Sequence, residues 1–446
     1  MESKAFSPEQ VKTFEGGAHV PHYKSFTEDK PIERLSVPPE VIIPLLQHTG
    51  APCKPLVKEG DKVEIGQKIG DSDELFSAPV HASVSGTVKA IEPRPVPTGG
   101  EDDCIVIETG DGPQEFEMKQ VRDPESVSVE EYRQCVREGG VAGMGGAGLP
   151  THVQTSPRQP VDTLLLNGAE CEPFLTCDHR LMVEKAEELV KGAELKKKSI
   201  GAKKVLLGIE VNKPDAIEAV NKLIKDRDDM EVVPLAVKYP QGFKSHLIKA
   251  ATGRDVPRGA RSAELGCIVR NVGTTVACYE ATIYDKPLIE RIVTVSGPRV
   301  PRPGNYIIRI GTPVYHIMNE IGVDNLEGSK IVLGGPMTGL AQTDLNVPVV
   351  KSTTGVIVLP PEMVRDEAVY TDCVRCGECV DHCPMFLYPN QLSILAEYEN
   401  HEELIEWDLM DCIECGICAF ICPAQRPIVQ FVKRAKPAVE KIVRGK

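Results

Sequence analysis

The chain has 446 residues, 41% hydrophobic and 26% charged, with a net charge of −14 and a pI near 5.3. That length allows two to four domains, each burying its own core. The acidic balance and an aromatic share of only 5% exclude a nucleic-acid partner, which needs a positive footprint. No apolar run approaches the ~20 residues that span a bilayer. The opening residues, MESKAFSPEQ, carry no apolar signal core, so the expectation is a cytoplasmic chain.

Residues 1–35, including TFEGGAHVPHYK, are punctuated by glycine and proline and read as an extended N-terminal arm. Residues 36–115 alternate valine and isoleucine with polar residues between glycine turns, as in PLVKEGDKVEIGQKIG and SAPVHASVSGTVKAIE. They resemble a lipoyl or biotinyl barrel-sandwich, but the hairpin DSDELFS holds no lysine to modify, which leaves the fold without the carrier role. After an acidic, turn-rich stretch, residues 125–285 alternate strand and helix. A helix follows Ser128 and stops at Gly139-Gly140. The strands are VDTLLLNGAE, KKVLLGIEVN and EVVPLAV; the helices are DHRLMVEKAEELVKGAE, PDAIEAVNKLIKD and FKSHLIKAATG. That order predicts an α/β domain on a largely parallel sheet. In residues 286–350, RIVTVSGPRVPRPGNYIIRIGTPVYHIMNEIG gives two strands across a Pro-Gly turn and then a helix, similar to a β-grasp module of the SLBB type. Residues 361–430 form a cysteine-rich unit, and 431–446 a basic tail of six Lys/Arg, solvated or docked on an acidic partner or membrane surface.

Fifteen cysteines are the strongest compositional signal. CVRCGECVDHCP (373–384) and CIECGICAFICP (412–423) each follow C-x2-C-x2-C-x3-C-P, the run of bacterial two-cluster ferredoxins, in which the fourth cysteine ligates the other cluster. Cys373, Cys376, Cys379 and Cys422 are therefore assigned to one [4Fe–4S] centre, and Cys412, Cys415, Cys418 and Cys383 to a second. Zinc knuckles, which often include histidine, fit poorly with four cysteines per run, followed by proline and repeated twice. His382 is expected beside the first cluster rather than on it. The remaining cysteines, 53, 104, 135, 171, 177, 267 and 278, lack metal spacing and are expected as small buried apolar residues.

VAGMGGAGLPTHVQ (141–154) matches the letters of the dinucleotide fingerprint, but it follows a helix and no strand leads into it, so the Rossmann context fails. Glycine density of this kind still suits a phosphate or ring cradle. GMGGAGLPT with NGAECEP and RNVGTT resembles the NADH-binding flavoprotein subunit of respiratory complex I. The full order, from TFEGGAHVPHYK and LLQHTG through the two cysteine runs, resembles the C subunit of Rnf complexes, membrane-bound ferredoxin:NAD+ oxidoreductases coupled to Na+ or H+ transport. The resemblance implies a multidomain α/β and α+β chain with a Rossmann-like flavin/NADH domain, FMN as cofactor and NAD(H) as substrate. It implies Gly143, Gly145, Gly146 and Gly148 as the nucleotide cradle, Asn167, Glu170 and Glu172 beside the flavin, Gly242 and Lys244 in a flavin-contacting loop, and Asn271 and Thr274 at its phosphate. No side chain is expected as a catalytic acid or base, since hydride transfer needs none.

The chain departs from the complex I pattern at Leu149, Gln154 and Ala169, where that family has phenylalanine, lysine and aspartate; Phe174 or Phe243 is expected to supply the missing ring. The resemblance further implies a peripheral subunit on the cytoplasmic side of the cell membrane. Its partners are other Rnf subunits, including an iron–sulfur ferredoxin-like one; ferredoxin is met indirectly and the membrane through those partners. Two alternatives stand: a soluble flavin/iron–sulfur reductase of the cobalamin reductase type, and an electron-transfer adaptor without a nucleotide site.

Overall fold

The computed structural model describes residues 6–146, 148–365 and 369–445. The N-terminal arm is tied down along its length. Lys12 bonds through its backbone to Pro234 and Ala236 (2.8 and 2.9 Å), Ala18 exchanges two bonds with Tyr239, and the Gly17 N–H reaches the His382 carbonyl (3.0 Å). Strand β1 (Ile32–Arg34) then enters a sheet formed far downstream.

Two small antiparallel sheets follow. One holds β2 (Glu40–Pro44), β4 (Lys62–Val63), β7 (Gly86–Pro95) and β8 (Glu101–Thr109); the other holds β3 (Lys54–Pro55), β5 (Lys68–Asp71) and β6 (Val80–His81). Their alternating apolar residues, such as Val41, Ile43, Ile105 and Ile107, meet in a shared core. The hairpin between β5 and β6 ends in exposed Leu75 and Phe76.

Helix α1 (Val129–Glu138) starts where Ser128 accepts the Glu131 N–H. The next sheet is wholly parallel: β9 (Thr163–Gly168), β10 (Lys204–Glu210), β11 (Met230–Leu235) and β12 (Cys267–Asn271), in the order β11-β10-β9-β12. Its strands are apolar runs because helices cover both faces. The apolar periodicity of 178–194, read from sequence as one helix, breaks at Lys185 into α2 (Cys177–Glu184) and α3 (Ala186–Ile200). Lys185 leaves helical geometry and pairs with Glu280. Helix α4 (Pro214–Ile224) and α5 (Lys244–Thr252) connect the later strands, and α6 (Val272–Ile283) is buried on every side. Strand order reverses between β9 and β12, so the crevice beyond their carboxyl ends is the switch point where such sheets bind ligands.

A mixed six-stranded sheet comes next: β13 (Glu290–Ser296), β14 (Gly304–Arg309), β15 (Lys330–Leu333), β16 (Leu340–Gln342) and β17 (Gly355–Leu359), with β1 on its edge and α7 (Val314–Ile321) packed against it. It thus draws strands from both sides of the 286–350 segment read in the sequence. The C-terminal unit is helical: α8 (Glu378–Asp381), α9 (Pro389–Glu397), α10 (His401–Glu406), α11 (Ile417–Phe420) and α12 (Ile428–Arg444). Residues 431–444 are therefore helix and not a solvated tail. Val432, Ala435 and Val439 fall on one face and join Leu392 and Leu404 in the core, while the lysines and arginines take the other face. No described helix is long and apolar enough to cross a membrane.

Candidate flavin and iron–sulfur sites

The cysteine runs converge as two sets of four. Cys373, Cys376, Cys379 and Cys422 line one small cavity. Cys383, Cys412, Cys415 and Cys418 line another. Each set takes three thiols from one run and the fourth from the other. The loops repeat the same backbone: Arg375 and Glu414 have φ of 55° and 56°, and Gly377 and Gly416 both have φ of 85°. The left-handed Arg375 and Glu414 carry the strain of this turn, while the glycines adopt it freely. An all-thiol donor set with this crossed spacing fits iron–sulfur cubanes. The His382 ring stands outside both cavities, against the Glu378 carbonyl (2.9 Å). Of the seven other cysteines, six are buried and Cys171 is half-buried.

The glycine loop precedes β9 in sequence and folds back over the switch point. Gly143 closes it on Leu149 (N–H to carbonyl, 2.9 Å), and the Met144 N–H donates to Thr274 Oγ1 (2.9 Å). Gly146 and Gly148 have φ of 64° and 59°. Gly145 lies against the Asn271 side chain at the start of α6. Asn271 caps that helix, its Oδ1 accepting the Thr274 N–H (3.1 Å) while its Nδ2 donates to Asp178 (2.6 Å). A long buried helix ending in N–H groups at a glycine cradle suits a phosphate. Asn167 holds the facing loop: its Nδ2 donates to the Gly242 carbonyl (2.8 Å). Gly143, Gly145, Gly146, Gly148, Asn167, Gly242, Asn271 and Thr274 are thus gathered at one crevice. Exposed Lys244 lines a cleft of about 1020 Å³ that opens beside the loop at Leu149 and Gln154.

Two predicted residues point elsewhere. Glu170 accepts the Asp178 and His179 N–H groups (2.7 and 3.1 Å), because a carboxylate is favoured at the start of α2. The Glu172 carboxylate is held by residues 337–338, accepting the Met337 N–H (3.0 Å) and the Thr338 hydroxyl. Burial pushes its carboxyl above the usual range, against those hydrogen bonds. Phe174 cannot supply a ring to the crevice: it is 1% exposed and stacked on Tyr23 at 4.7 Å. Phe243 sits half-buried before α5, tilted against His246.

Sequence reasoning missed Lys24 entirely. Its buried Nζ donates to the carbonyls of Glu170, Glu172 and Leu175 (2.8, 3.0 and 2.6 Å), pinning the segment after β9. Nothing in KSFTEDK signals a reach of 146 residues. Tyr239 was missed too. It is 2% exposed, and its hydroxyl donates to the Cys415 carbonyl (2.8 Å), joining the segment between β11 and Gly242 with the second cysteine set.

Three family models match. Residues 12–112 fit the RnfC barrel sandwich hybrid domain, 136–280 the Nuo51 FMN-binding domain, and 365–430 a 4Fe-4S dicluster domain. The chain is 42% identical to the C subunit of the proton-translocating ferredoxin:NAD(+) oxidoreductase complex of Clostridium ljungdahlii, over 96% of this chain and 94% of that one. It is 41% identical to the C subunit of the Na(+)-translocating complex of Acetobacterium woodii, over 95% and 96%. The C subunit of an ion-translocating oxidoreductase complex of Haemophilus influenzae matches at 38%, over 98% of this chain and 66% of that longer protein. A solved NAD+-reducing [NiFe]-hydrogenase in its H2-reduced state overlays at 19% identity with a TM-score of 0.49, over 73% and 68% of the two chains, too loosely to bear on the site. The fold and site define an oxidoreductase subunit with FMN-binding and iron–sulfur domains. The chain belongs to the family of C subunits of Rnf-type ferredoxin:NAD+ oxidoreductase complexes.

Proposed function

We propose that this chain is the NAD(H)-handling subunit of such a complex, passing electrons between two [4Fe–4S] clusters, FMN and NAD. The observation that carries the reading is the contact of Tyr239 with Cys415. It supports reading the set of Cys383, Cys412, Cys415 and Cys418 as the one next to the flavin crevice. The set of Cys373, Cys376, Cys379 and Cys422 is then the outer one, facing an iron–sulfur partner that receives electrons from ferredoxin. Bound FMN supplies the exchange between single electrons and the two that NAD+ takes up with one proton. The chain's own residues bind and orient. The glycine loop and the Asn271-capped helix take the phosphate, Asn167 and Gly242 hold the ring side, and Lys244 faces the dinucleotide. No protein acid or base is required for hydride transfer.

Coupling to Na+ or H+ translocation is assigned to the whole complex, with this chain peripheral on the cytoplasmic face and reaching the membrane through its partners. Residues 286–350, with β17, are read as an SLBB-type β-grasp unit. The match of 12–112 to the RnfC barrel disfavours the cobalamin reductase alternative. The test uses the full chain loaded anaerobically with iron, sulfide and FMN. About eight iron atoms per chain are expected, and NADH bleaches the flavin. No bleaching with FMN bound overturns the NAD role, and bound zinc without iron overturns the clusters.

A further inference from the structure

The cleft beside the glycine loop has a wall from an unexpected source. Leu75 and Phe76, at the tip of the β5–β6 hairpin of the barrel-sandwich, line it together with Leu149. They are 59% and 48% exposed, an unusual state for two adjacent large apolar residues on a hairpin. Nor is the tip loose. The 48–51 segment bonds to both neighbours: the Ala51 N–H donates to the Phe76 carbonyl (2.9 Å) and the Thr49 N–H to the Gly148 carbonyl (3.1 Å). The His152 ring meets the Leu75 carbonyl at 3.1 Å. Arg137 anchors the hairpin base on Asp71 (2.7 Å) and Ser72 (2.8 Å), leaving its buried Nη1 without a hydrogen-bond partner.

The cleft is also basic in an acidic protein. Arg133, Arg137, Arg158, Lys244 and Arg261 line it, against Glu130 and Glu264. A volume of about 1020 Å³ sits at the top of the ~300–1,000 Å³ typical of small-molecule sites. An apolar plate beside a cluster of cationic side chains suits a nucleotide: a flat base with a pyrophosphate next to it.

We propose that the barrel-sandwich domain forms part of the nucleotide site, with Phe76 stacking on the adenine ring of NAD(H) and Arg137 facing its pyrophosphate. This rests on the NAD(H) role proposed for the chain. The nicotinamide must meet the flavin at the crevice by Asn167 and Gly242, so the far end of the dinucleotide is the part that reaches the hairpin. Phe76 then supplies the ring that Leu149 does not.

Binding of NADH and of ADP-ribose to the full, FMN-loaded chain, measured by calorimetry, tests this. F76A is expected to weaken both ligands roughly 5- to 160-fold, the range for loss of a base–aromatic stack. F76W restores binding, and FMN content and flavin potential stay unchanged. Equal affinity of F76A and the unaltered chain for ADP-ribose overturns the proposal and leaves the NAD(H) role intact. If the unaltered chain binds neither ligand, the NAD(H) role fails and the proposal with it. Loss of FMN together with NADH in F76A makes the hairpin a structural prop, and also overturns it.

Discussion

Asn167 and Asn271 are register partners at the carboxyl ends of adjacent parallel strands, and each ties down a different loop. Asn167 holds Gly242; Asn271 holds Asp178 and caps α6. The switch point is thus framed by two carboxamides whose polar atoms are committed to building the crevice. Asn271→Ala should cost about 1 kcal/mol through the lost cap. It should also weaken FMN binding by more than the stability loss explains. Denaturant unfolding and flavin fluorescence titration on the same preparation check both.

The crossed cysteine sets predict which losses coincide. Cys383→Ser and Cys412→Ser lie on different runs but line one cavity, so both should remove the same cluster and leave about four iron atoms per chain. Cys422→Ser should pair instead with Cys373→Ser. Low-temperature EPR of the reduced variants reads the pairing directly. Matching spectra for Cys383→Ser and Cys373→Ser would contradict it.

Tyr239→Phe removes the donor to the Cys415 carbonyl from a buried contact. The expected loss is about 1–2 kcal/mol of stability, since the carbonyl loses its bond away from water. Iron and FMN contents should hold. Electron transfer from flavin to cluster, followed by stopped-flow after NADH mixing, should slow relative to flavin reduction. An unchanged ratio of the two rates separates this hydroxyl from the electron path.

Acid should loosen the barrel before the rest. Burial, reinforced by the Lys351 ammonium, lowers His48 to about 4 and His81 to about 3. Their unfolded values lie near ~6.5, so below that pH the unfolded chain takes up protons that the folded chain refuses. The stability is fully present above ~6.5 and is lost as pH falls toward those lowered values, at up to about 1.4 kcal/mol per pH unit for each ring. Lys351 also donates to the carbonyls of Pro79 and Gly140 (2.6 and 2.7 Å), so this pocket connects the barrel to the glycine loop. His81→Gln should flatten the fall of the unfolding midpoint between about pH 6.5 and 4.5.

Much of this was legible because it rests on local spacing. The thiolate runs, the Ser128 cap and the alternation of apolar strands with helices each follow from residues a few positions apart. What was illegible depends on distant partners. The glycine loop failed as a Rossmann turn because it precedes β9, yet it reaches the switch point through Thr274, 130 residues away. Glu172 looked like a flavin neighbour until Met337 and Thr338 claimed its oxygens. The α12 helix was readable: Val432, Ala435 and Val439 fall at helical spacing, but its five lysines and arginines drew attention to the other face.

The arm between Lys12 and Arg34 touches β11, Tyr239, His382, the segment after β9 and β14 in succession. A seam of some two dozen residues therefore fixes the spacing between the flavin crevice and the cysteine-rich unit, a length on which tunnelling rates depend steeply. A lesion in that seam would leave every cofactor ligand intact and still detune the wire.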